Sequence, residues 1–186
     1  MFRKKLFGFP RRRSLRQCEK GSTVVEFALV IVPFLACMFA IIEIGLVFFA
    51  GQVLETSVAD AGRMILTGQV QNAKFDANGF KNQICTSSVQ ALFKCDDIKI
   101  DVRTVGSFGG ADLSPPVNPQ TNLLDTSDFT YQPGDQCQIV VVRVVYEWPT
   151  FVRGFGLDLA TLANGKHLLM STAAFRNEPY SGTGFC

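Results

Sequence analysis

The sequence predicts an α+β fold, in which a long membrane-spanning N-terminal helix continues into a small exported domain with a short helix, an antiparallel sheet and disulfides. Three observations support this prediction. Residues 24–50 are almost wholly apolar, and a helix of about 20 apolar residues spans a bilayer. Residues 97–105 alternate between apolar and polar side chains and residues 138–146 form a β-branched run, and both patterns are typical of strands. Four cysteines follow the apolar run: Cys85, Cys95, Cys137 and Cys186.

The first 20 residues are strongly basic, with eight Lys or Arg and one acid. Such segments stay on the cytoplasmic side, so we expect the rest of the chain to be exported. The adjoining apolar run explains this charge, which makes nucleic-acid binding the weaker interpretation. A cleaved secretory signal has an apolar core of about 7–15 residues, and the run here is longer. We therefore divide the chain into a basic cytoplasmic leader (1–21), a long transmembrane and amphipathic helix (22–67) and an exported α+β domain (68–186).

Two carboxylates interrupt the apolar run, Glu26 and Glu43. If the chain is cut between Gly21 and Ser22, the new amino group lies four residues from Glu26 and on the same helical face. The amine of a neighbouring chain could serve equally. The alternative for Glu26 is an ordinary surface acid near a helix start, where the helix dipole favours negative charge. Glu43 lies about 32 Å beyond Ser22 by the rise of a helix, so we expect it at the far membrane interface without a special role.

The helix is expected to continue beyond the membrane to residue 67. Apolar residues recur at three- and four-residue steps, as on one face of an amphipathic helix, and polar residues take the other face. The apolar set is Val53, Leu54, Val58, Ala61, Met64 and Ile65, and the polar set is Gln52, Glu55, Asp60 and Arg63. Gly68 is a suitable end because glycine commonly terminates helices. Pro33 lies inside the span, where membrane helices tolerate it.

The exported part begins with a predicted second helix over residues 75–94, ending near Cys95. In the strand that follows, one set of side chains faces the core and the alternate set faces solvent. The inward set is Ile98, Ile100 and Val102, and the outward set is Lys99, Asp101 and Arg103. Residues 106–136 are rich in Gly, Pro, Ser, Asn and Asp. They are predicted to form a long surface loop, which is either a contact surface or a variable connection.

The C-terminal third predicts a β-hairpin. Residues 138–146 are expected to form the central strand, and residues 167–175 the last strand, which follows the turn at Asn164-Gly165. Between them, residues 151–164 are predicted to form an apolar loop or a short helix, with exposed Phe and Leu side chains available to a membrane or a partner.

The four exported cysteines lie where disulfides persist, and four cysteines allow three pairings. We favour Cys85 with Cys95 as a local link, and Cys137 with Cys186 as a clamp on the C-terminal end. Two cysteines are not expected to be bridged: Cys18 in the leader and Cys37 in the membrane run.

No catalytic or cofactor motif occurs in the sequence: GxSxG, a Walker loop, HExxH and a Gly-rich dinucleotide fingerprint are all absent. A zinc site is disfavoured, because there is no CxxC spacing and His167 is the single histidine. His167 lies in a predicted strand and is interpreted as structural. We therefore predict a non-enzymatic protein that needs no cofactor.

The N-terminal pattern is similar to that of type IV prepilins: a short basic leader ending in Gly, a cut, Glu at the fifth following position, and an apolar helix. The string GSTVVEFALV, with Pro33 in the helix, most resembles the TadE-like pseudopilins of the tight-adherence (Flp) pilus machinery. The segment FRNEPY at 175–180 is also similar to the ending of that family. The resemblance implies a type IV pilin-like fold and cleavage between Gly21 and Ser22 by a prepilin peptidase. It also implies that Glu26 meets a subunit amine during assembly.

The resemblance further implies a TadE-like pseudopilin or minor pilin, a non-enzymatic component for the assembly of Flp/Tad-type pili. The implied partners are the prepilin peptidase, other minor pilins, the major Flp pilin, the inner-membrane pilus assembly platform and the lipid bilayer, with no nucleic acid. The implied location is the bacterial inner membrane, as a single-pass protein with a cytoplasmic N-terminus and a periplasmic C-terminal domain, and with entry into an extracellular pilus left open. The alternative is an uncut, signal-anchored envelope protein whose disulfide-stapled domain recruits a partner.

Overall fold

The structure is a computed structural model that describes residues 22–152, 158–180 and 186. The chain divides into two compact units, Met1–Phe39 and Ala40–Cys186. In the first unit the described residues all belong to helix α1 (Ser22–Leu66), and most side chains from Thr23 to Phe39 are exposed. By length and composition α1 can cross a membrane, and it is the one such helix within the described ranges. Its bounds agree with the predicted helix to within one residue.

In the second unit, α1 has one buried face. The buried positions recur at three- and four-residue steps, which is the spacing of a single helical face. They are Ala40, Glu43, Val47, Ala50, Leu54, Ser57, Val58, Ala61 and Ile65. The amphipathic pattern predicted beyond residue 52 is therefore confirmed, with Val53 and Met64 partly buried at its edges.

Helix α1 ends at the predicted glycine. Gly68 has a φ of 75°, and its N–H donates to the carbonyl of Ile65 at 3.0 Å. This left-handed conformation is open to glycine and costly for residues with a Cβ. The ring of Tyr180 lies where a Cβ at this position would be. The helix therefore stops here for two reasons, one in the backbone and one in the packing.

Three short helices follow: α2 (Gln69–Asn72), α3 (Ala77–Ile84) and α4 (Ser87–Gln90). The single helix predicted over residues 75–94 is wrong, because the chain breaks at Cys85, where ψ is 58°. Cys85 is bonded to Cys95, and the side-chain amide of Gln90 donates to the Cys85 carbonyl at 3.1 Å. A straight helix would carry these two cysteines apart, since each residue adds about 1.5 Å of rise. The link therefore requires the turn.

The sheet has three antiparallel strands in the order β1 (Lys99–Val105), β2 (Ile139–Pro149) and β3 (Lys166–Arg176). The predicted central strand and hairpin are confirmed, and β2 continues three residues beyond its expected end, to the pair Pro149 and Lys166. Gly165, with a φ of 74°, closes the turn. The described residues between these strands, 150–152 and 158–165, lie in neither a helix nor a strand. The choice between loop and helix for residues 153–157 lies outside the described residues.

The main core lies between α1 and one face of the sheet. Alternate residues of β2 face it, as the period of two in a strand requires. They are Val140, Val142, Val144, Tyr146 and Trp148. Phe93 meets Tyr146 edge-on, with ring centroids 4.9 Å apart, an arrangement that adds about 0.5–1.5 kcal/mol to the free energy of burial.

The other face of the sheet corrects a prediction. Asp101 was expected to face solvent, but its side chain is 0% exposed. One carboxylate oxygen accepts hydrogen bonds from Arg143 Nε at 2.9 Å and Nη2 at 2.7 Å, and the other accepts from Arg103 and from the N–H of Thr130. Burial alone would raise the pKa of Asp101, but these donors outweigh it and hold the pKa below its ordinary value.

The long loop 106–136 explains this burial, because it crosses the polar face of the sheet. Val102 exchanges backbone hydrogen bonds with Thr130 and Gln132 at the edge of β1, and Arg143 donates to the carbonyl of Ser114 at 3.3 Å. The loop is on the surface, as predicted, but it is also a layer of the fold. The alternation in β1 indicates that the two faces of the strand differ in polarity. It does not indicate that the polar face is exposed to solvent.

Candidate functional site

The predicted processing point lies at the edge of the described residues. Gly21 and the leader are outside them, and Ser22 is the first residue of α1. Glu26 lies four residues later in α1, one turn along the helix, and its side chain is exposed. Around it the exposed side chains are apolar, among them Val25, which is 60% exposed, and Phe27, which is 64% exposed. The helix therefore presents one carboxylate within an apolar surface near its start.

Glu43 has a role that the sequence analysis missed. Its side chain is 5% exposed, and each carboxylate oxygen accepts a backbone hydrogen bond. Oε1 accepts from the N–H of Phe151 at 2.5 Å, and Oε2 from the N–H of Val152 at 2.8 Å. Glu43 thus ties the segment after β2 to α1. Its spacing from Ala40 and Val47 places it on the buried stripe of the helix, and this was the available signal.

The segment that Glu43 holds carries an exposed aromatic side chain. Phe151 is 78% exposed, while the preceding residue, Thr150, is buried and donates through its hydroxyl to the carbonyl of Gly165 at 2.8 Å. Two anchors therefore fix the backbone on either side of Phe151. Hydrogen bonds to charged groups contribute about 1.5–3 kcal/mol each. The backbone that carries the exposed ring is therefore fixed in position.

A second arrangement surrounds the C-terminal end of α1, and the motif FRNEPY builds it. Phe175 packs 3.1 Å from the position of a Cβ at Gly62. Asn177 is 1% exposed and donates to the carbonyls of residues 133 and 135 at 3.0 and 2.9 Å. The N–H of Glu178 donates to the carbonyl of Leu66 at 2.9 Å. The contacts of Phe175 and Glu178 close the end of α1, and those of Asn177 tie the same segment to the loop 106–136.

The disulfides have the pairing that the sequence analysis favoured. Cys85 is bonded to Cys95, with Cα atoms 6.0 Å apart, and Cys137 to Cys186, with Cα atoms 5.3 Å apart. Cys37 in α1 is unbridged and exposed, as expected. Cys18 lies outside the described residues.

A groove of about 450 Å³ lies in the second unit between α1 and β3. Phe48, Glu55 and Leu169 are among its lining residues. His167 also lines it, but its Nδ1 is 2.7 Å from the carbonyl oxygen of Leu159, which is a structural contact. Within residues 22–152, 158–180 and 186, no group of three His, Cys, Asp or Glu side chains could hold a metal ion. The groove is therefore a concave and partly apolar surface. The imidazole of His167 that lines it makes a structural contact.

These features define a class of protein: an α+β domain, stapled by two disulfides, whose first helix is long and apolar enough to anchor it in a membrane. Over residues 21–63 the chain matches the family model described as TadE-like protein. The predicted resemblance is therefore confirmed for this stretch, which contains Glu26 and Glu43. Proteins of this family are structural components associated with the Tad pilus. No curated protein and no solved structure matches the chain.

Proposed function

We propose that this protein is a TadE-like pseudopilin or minor pilin, a non-enzymatic component for the assembly of Flp/Tad-type pili. The observation that supports the proposal most is the family match over residues 21–63. It begins at the residue before the expected cut and covers most of α1. In the proposal, a prepilin peptidase cuts between Gly21 and Ser22, and the mature protein begins with the helix.

The proposed role of Glu26 follows from its surroundings. The carboxylate lies on an exposed apolar helix, and a charge inside a bilayer costs about 2.5–3.5 kcal/mol on insertion scales. A partner amine at this depth would interact more strongly than in water, because the surroundings screen charge poorly. The free amino group of Ser22, or that of a neighbouring subunit, is such a partner. Glu26 thereby sets the register in which a subunit joins its neighbours.

The proposed topology places the leader (1–21) in the cytoplasm, the helix (22–67) across the inner membrane and beyond it, and the domain (68–186) in the periplasm. The basic leader supports this orientation, and the two disulfides suit an oxidising compartment. The proposed partners are the prepilin peptidase, other minor pilins, the major Flp pilin, the assembly platform and the bilayer.

The mature N-terminus tests the proposal directly. Mass spectrometry of membrane fractions, prepared with and without the prepilin peptidase, should find a protein that begins at Ser22 only when the peptidase is present. Full-length protein in both fractions would overturn the prepilin mechanism and leave an uncut, signal-anchored binding protein as the better account.

The role of Glu26 needs a separate test after processing is established. Glu26→Gln should still be cut at Ser22, because the cut precedes assembly, but pili counted on cells should fall at least tenfold. Glu55→Gln is the matched control, since Glu55 is an exposed acid of the same helix, and its pilus count should equal that of the wild type. Equal counts for both variants would contradict the assembly role of Glu26.

A further inference from the structure

The part of α1 that lies in the second unit has a broad uncovered face. From Ile41 to Phe49 six positions are exposed; one is Gly45, and the other five carry large apolar side chains. These five are Ile41, Ile42, Leu46, Phe48 and Phe49, with exposed fractions between 46% and 72%. At about 100° per residue this face covers roughly 160° of the helix, which is wider than the narrow seam used by a single packed helix. A fluid apolar phase fits so broad a surface better than one protein helix does.

This face contains no charge. Between Glu43 and Glu55, α1 has no ionisable side chain, and Glu43 itself is buried under the backbone of Phe151 and Val152. The exposed surface of α1 from Phe27 to Phe49 is therefore uncharged, and 23 residues of helix extend about 34 Å. The hydrocarbon core of a bilayer is about 30 Å thick, and the whole bilayer about 40–45 Å. The uncharged surface thus reaches beyond the hydrocarbon and into the outer interfacial layer.

Glu43 lies six residues before the end of that surface, or about 9 Å below it by helix rise. A solvated carboxylate at this level would oppose burial in lipid. Here both carboxylate oxygens are hydrogen-bonded, and the same bonds satisfy the N–H groups of Phe151 and Val152. Backbone groups near lipid must be satisfied within the protein. The contact therefore satisfies the carboxylate and two backbone N–H groups, so that none of these three polar groups needs a partner in the lipid. It leaves the ring of Phe151 exposed beside the helix.

We infer that Phe151, together with the uncovered face of α1 at residues 41–49, contacts lipid at the outer boundary of the bilayer, from the edge of the hydrocarbon into the interfacial layer. The base of the domain is then a lipid-contacting surface, and Glu43 is the residue that holds it in position. The occupant of the surface is phospholipid, because the residues of this face follow directly in the sequence on the apolar residues of the proposed span. The inference rests on the membrane anchorage in the proposed function, and it is independent of the role in the pilus.

Tryptophan quenching by brominated phospholipids tests this placement. Trp148 is the single tryptophan of the chain, it is 9% exposed, and it serves as a constant background. Each variant adds one tryptophan to the full-length protein. The variants are reconstituted into vesicles of phosphatidylethanolamine and phosphatidylglycerol with brominated acyl chains. Phe151→Trp reports the base of the domain, and Phe49→Trp reports the helix face. Phe34→Trp, in the proposed span, reports the anchorage itself.

Phe108→Trp is the matched control away from the membrane. Phe108 is exposed, like Phe151, but it follows β1, whose last pair is Val105 with Ile139 at the opposite end of β2 from Pro149. Eleven residues of strand separate these ends by roughly 33 Å. Each variant should first show both disulfides by mass and a far-ultraviolet circular dichroism spectrum equal to that of the wild type.

We expect the added fluorescence of Phe151→Trp and Phe49→Trp to be quenched at least half as strongly as that of Phe34→Trp, and Phe108→Trp to behave as the background. Quenching at Phe34 with none at Phe151 or Phe49 would overturn this inference and leave the anchorage intact. In that case a partner subunit would cover this face. Adding that subunit would then protect the introduced tryptophan from quenching by acrylamide. The absence of quenching at Phe34 would overturn the anchorage and the inference together.

Discussion

Replacing Asp101 by asparagine should destabilise the domain strongly, because it removes the charge that balances a buried arginine. Arg143 is buried, and its guanidinium donates two hydrogen bonds to the Asp101 carboxylate, at 2.9 and 2.7 Å. Breaking a buried ion pair by removing one partner costs about 3–5 kcal/mol, since the remaining charge stays desolvated. Arg103 remains partly exposed, with 30% of its side chain accessible, so water can compensate it. We therefore expect Asp101→Asn to lower the free energy of unfolding by about 3–5 kcal/mol.

Asp60→Asn is the matched control. This variant makes the same change, Asp to Asn, at an exposed position of α1. In the wild type, Asp60 pairs with Arg63 at 4.0 Å, and both side chains are largely exposed. Exposed pairs of this kind contribute about 0–1 kcal/mol, so this variant should unfold like the wild type. Urea unfolding of the full-length protein in detergent micelles, followed by the fluorescence of Trp148, measures both. A loss below about 1 kcal/mol for Asp101→Asn would refute the reasoning, since it would mean that the guanidinium of Arg143 is not left uncompensated.

The pH dependence provides a second measurement on the same pair. The pKa of Asp101 is lowered in the folded protein relative to its ordinary value of 3.8. Its contribution to stability is therefore fully present above the unfolded pKa and is lost as the pH falls through the folded pKa. The difference in unfolding free energy between the wild type and Asp101→Asn should be constant near neutrality and shrink only below about pH 4. A difference that shrinks already near pH 6 would point to another group.

Two further substitutions test other contacts. Gly68→Ala should lower the unfolding free energy by at least about 1–2 kcal/mol, because a left-handed residue with a Cβ is strained, and here the Cβ also overlaps an aromatic ring. Gly51→Ala, at an open helical position, should instead stabilise by about 0.5–1 kcal/mol, and equal signs for the two variants would contradict this account. Glu43→Gln should speed amide hydrogen exchange about tenfold at Phe151 or at Val152, because the one acceptor oxygen of a carboxamide can serve only one of these two N–H groups. The loss of about 1.4 kcal/mol corresponds to this factor of ten. Glu55→Gln should leave that exchange unchanged, and an unchanged rate in both variants would show that the carboxylate does not hold the segment.

The elements that the sequence predicted well are those that local pattern determines. Helix α1 follows from the length of the apolar run and its continuation at helical spacing, and β2 follows from its unbroken β-branched residues. The pairing Cys137–Cys186 could be favoured because the predicted hairpin brings Cys137 near the exit of the last strand. In each case the prediction needs only residues that are neighbours in sequence, or two strands that are joined by a single connection.

The errors at Asp101 and Glu43 concern contacts between parts of the chain that are distant in sequence. Asp101 was placed in solvent because nothing near it indicates that Thr130 and Arg143 surround it. Glu43 was given no role because its partners come more than 100 residues later. In both cases a polar side chain is buried by a segment without regular structure, and such segments have no periodicity from which their position could be predicted.

The cap on α1 has a consequence for the order of folding. The carbonyl of Leu66 receives the N–H of Glu178, a residue 112 positions later, and Gly68 receives the ring of Tyr180. During synthesis the helix is made first, and its end remains uncapped until the chain has been extended to residue 180. Long-range closures of this kind come late because the intervening chain must be ordered first. The finished cap therefore marks a chain that is complete through residue 180, and a chain that stops before residue 178 would leave the end of its own helix uncapped.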